Sequence, residues 1–191
     1  MAGPGEPRRH GLAEQATDYV LEHGIAGLSL RPLARALGTS DRMLIYHFGT
    51  KDALVAEVIE RSNDRAVRLL DEWPAAPAPR DSVAGMWAAW SEPLIEACLR
   101  VYVQTAALGL LGQEPYLSAA LRANLAWGRA VVDYLARSGV PETSAERVGN
   151  LVESTLLGLW VDRPVHDPPT ETDPVLGDLA DAVERLSRRD G

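Results

Sequence analysis

Leu37-Gly38-Thr39-Ser40-Asp41-Arg42-Met43-Leu44-Ile45-Tyr46-His47-Phe48-Gly49-Thr50-Lys51-Asp52 is the stretch on which the reading of this chain turns. Gly38 predicts the end of a short helix, because a glycine just past a helix takes the left-handed conformation without a Cβ clash. Thr39 and Ser40 offer hydroxyls that can cap the first amides of a new helix. With Leu44 at the centre of the buried face, helical periodicity brings Phe48 to the same side. It turns Arg42 and Tyr46 outward and leaves Met43 and Ile45 on the flanks. Two short helices joined this tightly, the second with a donor and an aromatic on its outer face, describe a helix-turn-helix reading head. The plain alternative is a helical hairpin with a solvated polar face. The flank favours the reading head: His47 and Lys51 lie beside Gly49 and Thr50, small residues that let backbone amides approach a phosphate. Lys51 is the only lysine in the chain.

Gly-Leu-Ser-Leu-Arg at 27–31, Leu33-Ala34, Leu37-Gly38, Ser40, Leu44, His47-Phe48, Lys51 and Leu54 together resemble the N-terminal signature of the TetR family of bacterial transcriptional regulators. The likeness covers roughly residues 8 to 55; beyond it only length and helical pattern agree. It implies an all-α fold of about nine helices, with a three-helix helix-turn-helix DNA-binding head at 8–51. An effector-binding and dimerisation body then fills 52–191. It further implies a homodimer on a palindromic double-stranded operator, most simply a repressor, released by a small, largely apolar or aromatic effector. Helices at about 142–162 and 174–188 would pair with their copies in a four-helix bundle. The DNA-binding candidates are Arg31, Thr39, Ser40, Asp41, Arg42, Met43, Tyr46, His47 and Lys51. One position departs from the family pattern. Ile45 stands where a tyrosine usually precedes the variable residue and the His-Phe pair, and Arg42 and Met43 replace small residues. That shifts the expected phosphate contact toward Tyr46 and Arg42.

Composition agrees with this class. The chain has 191 residues, 46% of them hydrophobic with a single phenylalanine, which suits an Ala- and Leu-rich helical protein. The lone Cys98 excludes an intramolecular disulfide and fits a reducing cytoplasm. No apolar run approaches the ~20 residues that span a bilayer. Met1 to Arg9 lacks an apolar core and so is not a secretory signal; it is expected to be a disordered leader, with Arg8 and Arg9 in reach of DNA or without a role. The net charge is −8, unfavourable for a generic nucleic-acid binder. Its distribution matters more. Residues 1–51 hold six cations against five acids, whereas 52–191 hold thirteen against twenty-two. The reading head escapes the acidity of the remainder.

In chain order, the pattern predicts a helix over 8–23, a second helix capped by Ser29 with Pro32 in its first turn, and a long amphipathic helix over 52–73. Leu33, Ala34 and Leu37 face the core and Arg31 points out. After a Pro-Ala linker at 74–79 come three helices, starting near Ser82, Pro93 and Pro115. The middle one is apolar nearly all round and is expected to be central and buried. Pro141 and Thr143 introduce another helix; an acidic, proline-rich loop from Arg163 to Asp173 leads to the last. Trp87, Trp90, Tyr102, Trp127 and Tyr134, with Gln104 and Asn124 as isolated polar groups, are the effector-binding candidates of an apolar cavity. Taken singly, each aromatic is better explained as plain core.

Enzymatic readings fare poorly. His10, His23, His47 and His166 are scattered without metal-ligand spacing, and no nucleophile elbow or Gly-rich phosphate loop occurs. Neither a metal nor a cofactor is expected. Glu96 and Glu153, inside apolar helices, are either buried acids or solvated edges. The rival functional class is a helical small-molecule-binding or enzyme-like module whose head no longer binds DNA, suggested by Ile45 and the acidic balance.

Overall fold

The computed structural model describes residues 6–165 and 172–189. His166 and the loop residues 166–171 lie outside the described residues. Among those described there are nine α-helices and two short 3-10 turns: α1 (Glu6–His23), α2 (Leu30–Ala36), α3 (Asp41–Phe48), α4 (Lys51–Glu72), α5 (Ser82–Trp90), α6 (Pro93–Leu110), α7 (Tyr116–Arg137), α8 (Glu142–Asp162) and α9 (Thr172–Arg189), with the turns at Pro79–Asp81 and Arg163–Val165. The chain forms two compact units. One comprises Met1–Val67 with Pro93–Trp127, the other Arg68–Glu92 with Gly128–Gly191.

In the first unit, Leu12, Ala13, Ala16 and Val20 of α1 meet Leu33, Ala34, Leu44, Phe48, Leu54 and Val58 in one core, to which Val101, Tyr116 and Ala119 also belong. Seven- and eight-residue helices such as α2 and α3 cannot persist alone in water, so this burial is what holds them. Gly38 ends α2 as expected, at φ +64. Its amide donates to the Arg35 carbonyl and the Thr39 amide to that of Ala34. Ser29 occupies the N-cap position of α2 in extended backbone, but its hydroxyl makes no capping hydrogen bond.

Two expectations require correction here. Glu6–Arg9 is the first turn of α1 and not a disordered leader. Helix α6 is not buried all round. Ile95, Cys98, Leu99, Val101 and Thr105 are inside, whereas Glu96 pairs with Arg100 at the surface and Leu110 and Leu111 are exposed. The water-facing side of α6 therefore includes Leu110 as well as charges, and Leu111 follows it in the turn. On α7, Leu117, Leu121 and Leu125 are exposed in a row one turn apart.

In the second unit, α9 packs on the 3-10 turn at Pro79–Asp81, on α5 and on α8. Its Leu179, Ala180 and Val183 are buried there. Gly149 lets α8 approach α7 closely: a Cβ added there would lie 3.5 Å from Val132 Cγ2. One turn along α8, Glu153 is half-buried, with its Oε2 3.9 Å from where a Cβ on Gly128 would be. Burial raises its carboxyl to a pKa of about 7. The folded chain thus holds a proton that the unfolded chain releases at lower pH. Below the ordinary carboxylate range the site costs nothing, and stability falls as pH rises toward and through about 7. Glu153→Gln is expected to raise stability by about 1–2 kcal/mol at pH 8, discounted for the water that still reaches the carboxyl, and to leave it unchanged at pH 4. Denaturant unfolding at both pH values reads this directly; equal effects at both would contradict it.

Candidate nucleic-acid interface

The geometry of the interface begins at the cap of α3. Ser40, in extended backbone, accepts the Met43 amide on its Oγ at 3.2 Å. Asp41 Oδ1 accepts the Arg42 amide at 2.9 Å and places a negative charge at the positive end of the helix. Four residues of α3 then divide its faces. Leu44 and Phe48 are buried, while Arg42 is exposed and Tyr46 is 77% exposed. Ile45 is 38% exposed and Met43 half-buried, flank positions as the periodicity requires. The outer surface of α3 is therefore Asp41, Arg42, Ile45 and Tyr46.

Behind α3, Gly49 reverses the chain at φ +80, a conformation that strains any residue with a Cβ. Thr50 Oγ1 accepts the Ala53 amide at 3.0 Å and so caps α4. Lys51 is the exposed first residue of that helix. The ammonium of Lys51 thus lies beside first-turn amides that have no intrahelical acceptors. The capping role of Thr50 was legible as a hydroxyl directly before Lys51-Asp52, though small size alone had marked it.

The remaining candidates are placed differently. Arg31 is exposed in the first turn of α2. Thr39 is half-buried in the turn. His47 is half-buried, edge-on to Tyr46 with ring centroids 5.1 Å apart, and its Nε2 is buried without a hydrogen-bond partner. Its ring thus faces the protein, and its carbonyl accepts from Arg9 Nε at 3.1 Å.

Of the effector candidates, Tyr102, Gln104, Asn124 and Trp127 belong to the first unit and Trp87, Trp90 and Tyr134 to the second. Tyr102 donates its hydroxyl to Asn124 Oδ1 at 3.2 Å. Gln104 does not stand isolated. Its Oε1 accepts the amides of Ile25 at 2.7 Å and Ala26 at 3.0 Å, tying the α1–α2 connection to α6. That partnership spans nearly eighty residues and leaves no periodic trace in the sequence. Tyr134 is fully buried, donating weakly to the Ser82 carbonyl at 3.4 Å, with its hydroxyl against Gly85, where a Cβ would lie 2.2 Å away. Among the described residues no group of three or more His, Cys, Asp or Glu could hold a metal, and no helix is long and apolar enough to cross a membrane.

A capped helix that presents arginine and tyrosine opposite a leucine–phenylalanine anchor, packed behind α2 and followed by a lysine-led helix, defines a helix-turn-helix protein. Residues 13–58 match the family described as bacterial regulatory proteins, tetR family. Over 65 residues the chain is 37% identical to an HTH-type transcriptional repressor of Mycobacterium tuberculosis, a match covering 34% of this chain and 35% of that one. The shared segment spans about a third of the relative's length. A solved protein from Streptomyces coelicolor A3(2) superposes with a TM-score of 0.66 at 24% identity, covering 96% of this chain and 99% of that one. Another, from Saccharomonospora viridis and solved in complex with choline, gives 0.69 at 18% identity, covering 94% and 96%. At these identities the two structures establish likeness of fold. The likeness to the tetR family is thus carried by residues 13–58, the segment that holds α2 and α3.

Proposed function

We propose that this protein is a ligand-responsive transcriptional repressor that binds a palindromic operator as a homodimer in the cytoplasm. In this reading residues 8–51 read DNA and 52–191 bind the effector and the second subunit. The observation that carries it is the outer face of α3, where Arg42 and Tyr46 are exposed, together with the capped start of α4 at Lys51. Arg42 would meet a base edge, with Tyr46 beside it; Lys51 and Arg31 would meet phosphates, and Thr39, Ser40, Asp41, Met43 and His47 would shape the contact. Selection of bound duplexes from a random pool tests it. Two half-sites about one helical turn apart are expected, and recovery of no preferred sequence would overturn it.

Dimerisation is assigned to α8 with α9. Because α9 spends Leu179 and Val183 inside its own unit, the contact would rest chiefly on the α8 face of Leu151, Ser154, Gly158 and Val161. Gly158 faces open space, with no atom within 4 Å of a built Cβ. A leucine there fits the single chain but would block close helix approach. Gly158→Leu is therefore expected to weaken self-association without lowering the melting temperature at high dilution. Sedimentation showing an unchanged dimer would remove Gly158 from the interface.

The effector is proposed to be small and largely apolar, recognised by aromatic side chains of the body. The solved relative in complex with choline supports a ligand of that size. Helix α4 runs from Lys51 to Glu72, and a ligand acts on the head only if it binds two states of the chain with different affinity. All five tryptophans lie beyond residue 72. A compound that releases DNA is thus expected to change tryptophan emission over the same concentration range. Release with no change in emission would place its action on the head or on the DNA.

A further inference from the structure

The N-terminal turn of α1 carries a group that the operator-binding reading leaves unused. Arg9 sits where three elements meet. Its Nε donates to the carbonyl of His47, in the last turn of α3, at 3.1 Å. Its Nη1 donates to Glu57 Oε1 of α4 at 3.3 Å and its Nη2 to the other oxygen of the same carboxylate. The guanidinium also lies 5.1 Å from the centroid of the Phe48 ring. Glu57 is mostly buried, at 15% side-chain exposure, and accepts Arg61 as well.

Each contact has a consequence for α3. The last carbonyls of a helix have no intrahelical donors, and a cation there opposes the negative end of the helix dipole. A planar fork held on both carboxylate oxygens is fixed in orientation, unlike a single ammonium contact. The stacked ring adds a second constraint on the same turn. An eight-residue helix anchored by two buried side chains has few other restraints at its C-terminal end. A lone surface ion pair would matter little, but here one side chain joins the end of α3 to α1 and α4 together.

We propose that Arg9 is a positioning residue for DNA reading, clamping the C-terminal end of α3 to Glu57 so that Arg42 and Tyr46 are presented at a fixed angle. It does not touch DNA. Its effect on binding rests on the operator reading, whereas its effect on α3 does not, and the two are separable by experiment.

The ladder that continues from Glu57 supplies the control. Arg65 pairs with Glu14 and Asp18 at 2.6 Å each, joining α1 to α4 without contact to α3. Amide hydrogen exchange of full-length Arg9→Ala, Arg9→Lys and Arg65→Ala is measured first. Both Arg9 variants are expected to speed exchange at Leu44 to Gly49 by roughly tenfold, since lysine keeps the charge but not the fork. Arg65→Ala should leave these amides as in the native chain. Equal acceleration by Arg65→Ala, or none by Arg9→Ala, would overturn the clamp. Binding to the selected duplex then reads the consequence. Arg9→Ala and Arg9→Lys are both expected to lose roughly tenfold in affinity with the native salt slope retained. Rescue by lysine, or a slope reduced by about 1 per subunit, would mean that Arg9 meets a phosphate instead. If the native chain selects no duplex while the exchange result stands, the operator reading has failed and the clamp has not.

Discussion

Leu44→Ala is expected to destabilise the unit containing the reading head by roughly 2–5 kcal/mol, the range for truncating a fully buried leucine. Leu44 sits among Leu33, Ala34, Phe48 and Leu54 with no exposed surface, so the cavity has few ways to close. The cost falls on a particular element. Leu44 and Phe48 are the buried residues of α3, and a helix this short has little stability of its own once one of them is truncated. DNA binding should therefore disappear at denaturant concentrations that leave most helical signal intact. Unfolding followed by circular dichroism alongside duplex binding measures both. A cost under about 1 kcal/mol would mean that α3 is not held by this core.

Arg42→Ala and Lys51→Ala are expected to fail in different ways. Arg42 is exposed on the outer face of α3, four residues from Tyr46, and a guanidinium can grip guanine through two hydrogen bonds. Its loss should cost roughly 1–3 kcal/mol on the preferred duplex and relax discrimination at one base pair per half-site. Lys51 is exposed at the start of α4, next to the Thr50 cap, and the proposed reading assigns it a phosphate. Its loss should weaken all duplexes alike and lower the salt slope by about 1 per subunit.

The helix-turn-helix was legible because its determinants are local. Gly38 had to be a residue tolerant of positive φ, Ser40 lies three residues before the amide it caps, and Leu44 and Phe48 are one turn apart. The same locality explains the helix starts at Ser82 and Pro93. What escaped the sequence depends on distant partners. Arg9 finds His47 and Glu57 across 38 and 48 residues, so an arginine read as part of a disordered leader is a structural fork. Gln104 looked like a polar group in an apolar wall until the α1–α2 connection 79 residues away supplied its donors. The exposure of Leu110 and Leu111 was hidden for a related reason: an apolar residue carries no mark of which neighbour, if any, covers it. Glu153 is the converse case, an acid half-buried on α8 with its Oε2 3.9 Å from where a Cβ on Gly128 would be.

The central claim, that α3 reads bases while the start of α4 holds the backbone, is tested most directly by one measurement. Affinities of the native chain, Arg42→Ala and Lys51→Ala are determined on a panel of single-substitution duplexes at three salt concentrations. The account predicts that only Arg42→Ala flattens the panel and only Lys51→Ala flattens the salt dependence. A reversed pattern would exchange the two roles, and a panel indifferent to both substitutions would contradict the assignment of α3 as the reading helix.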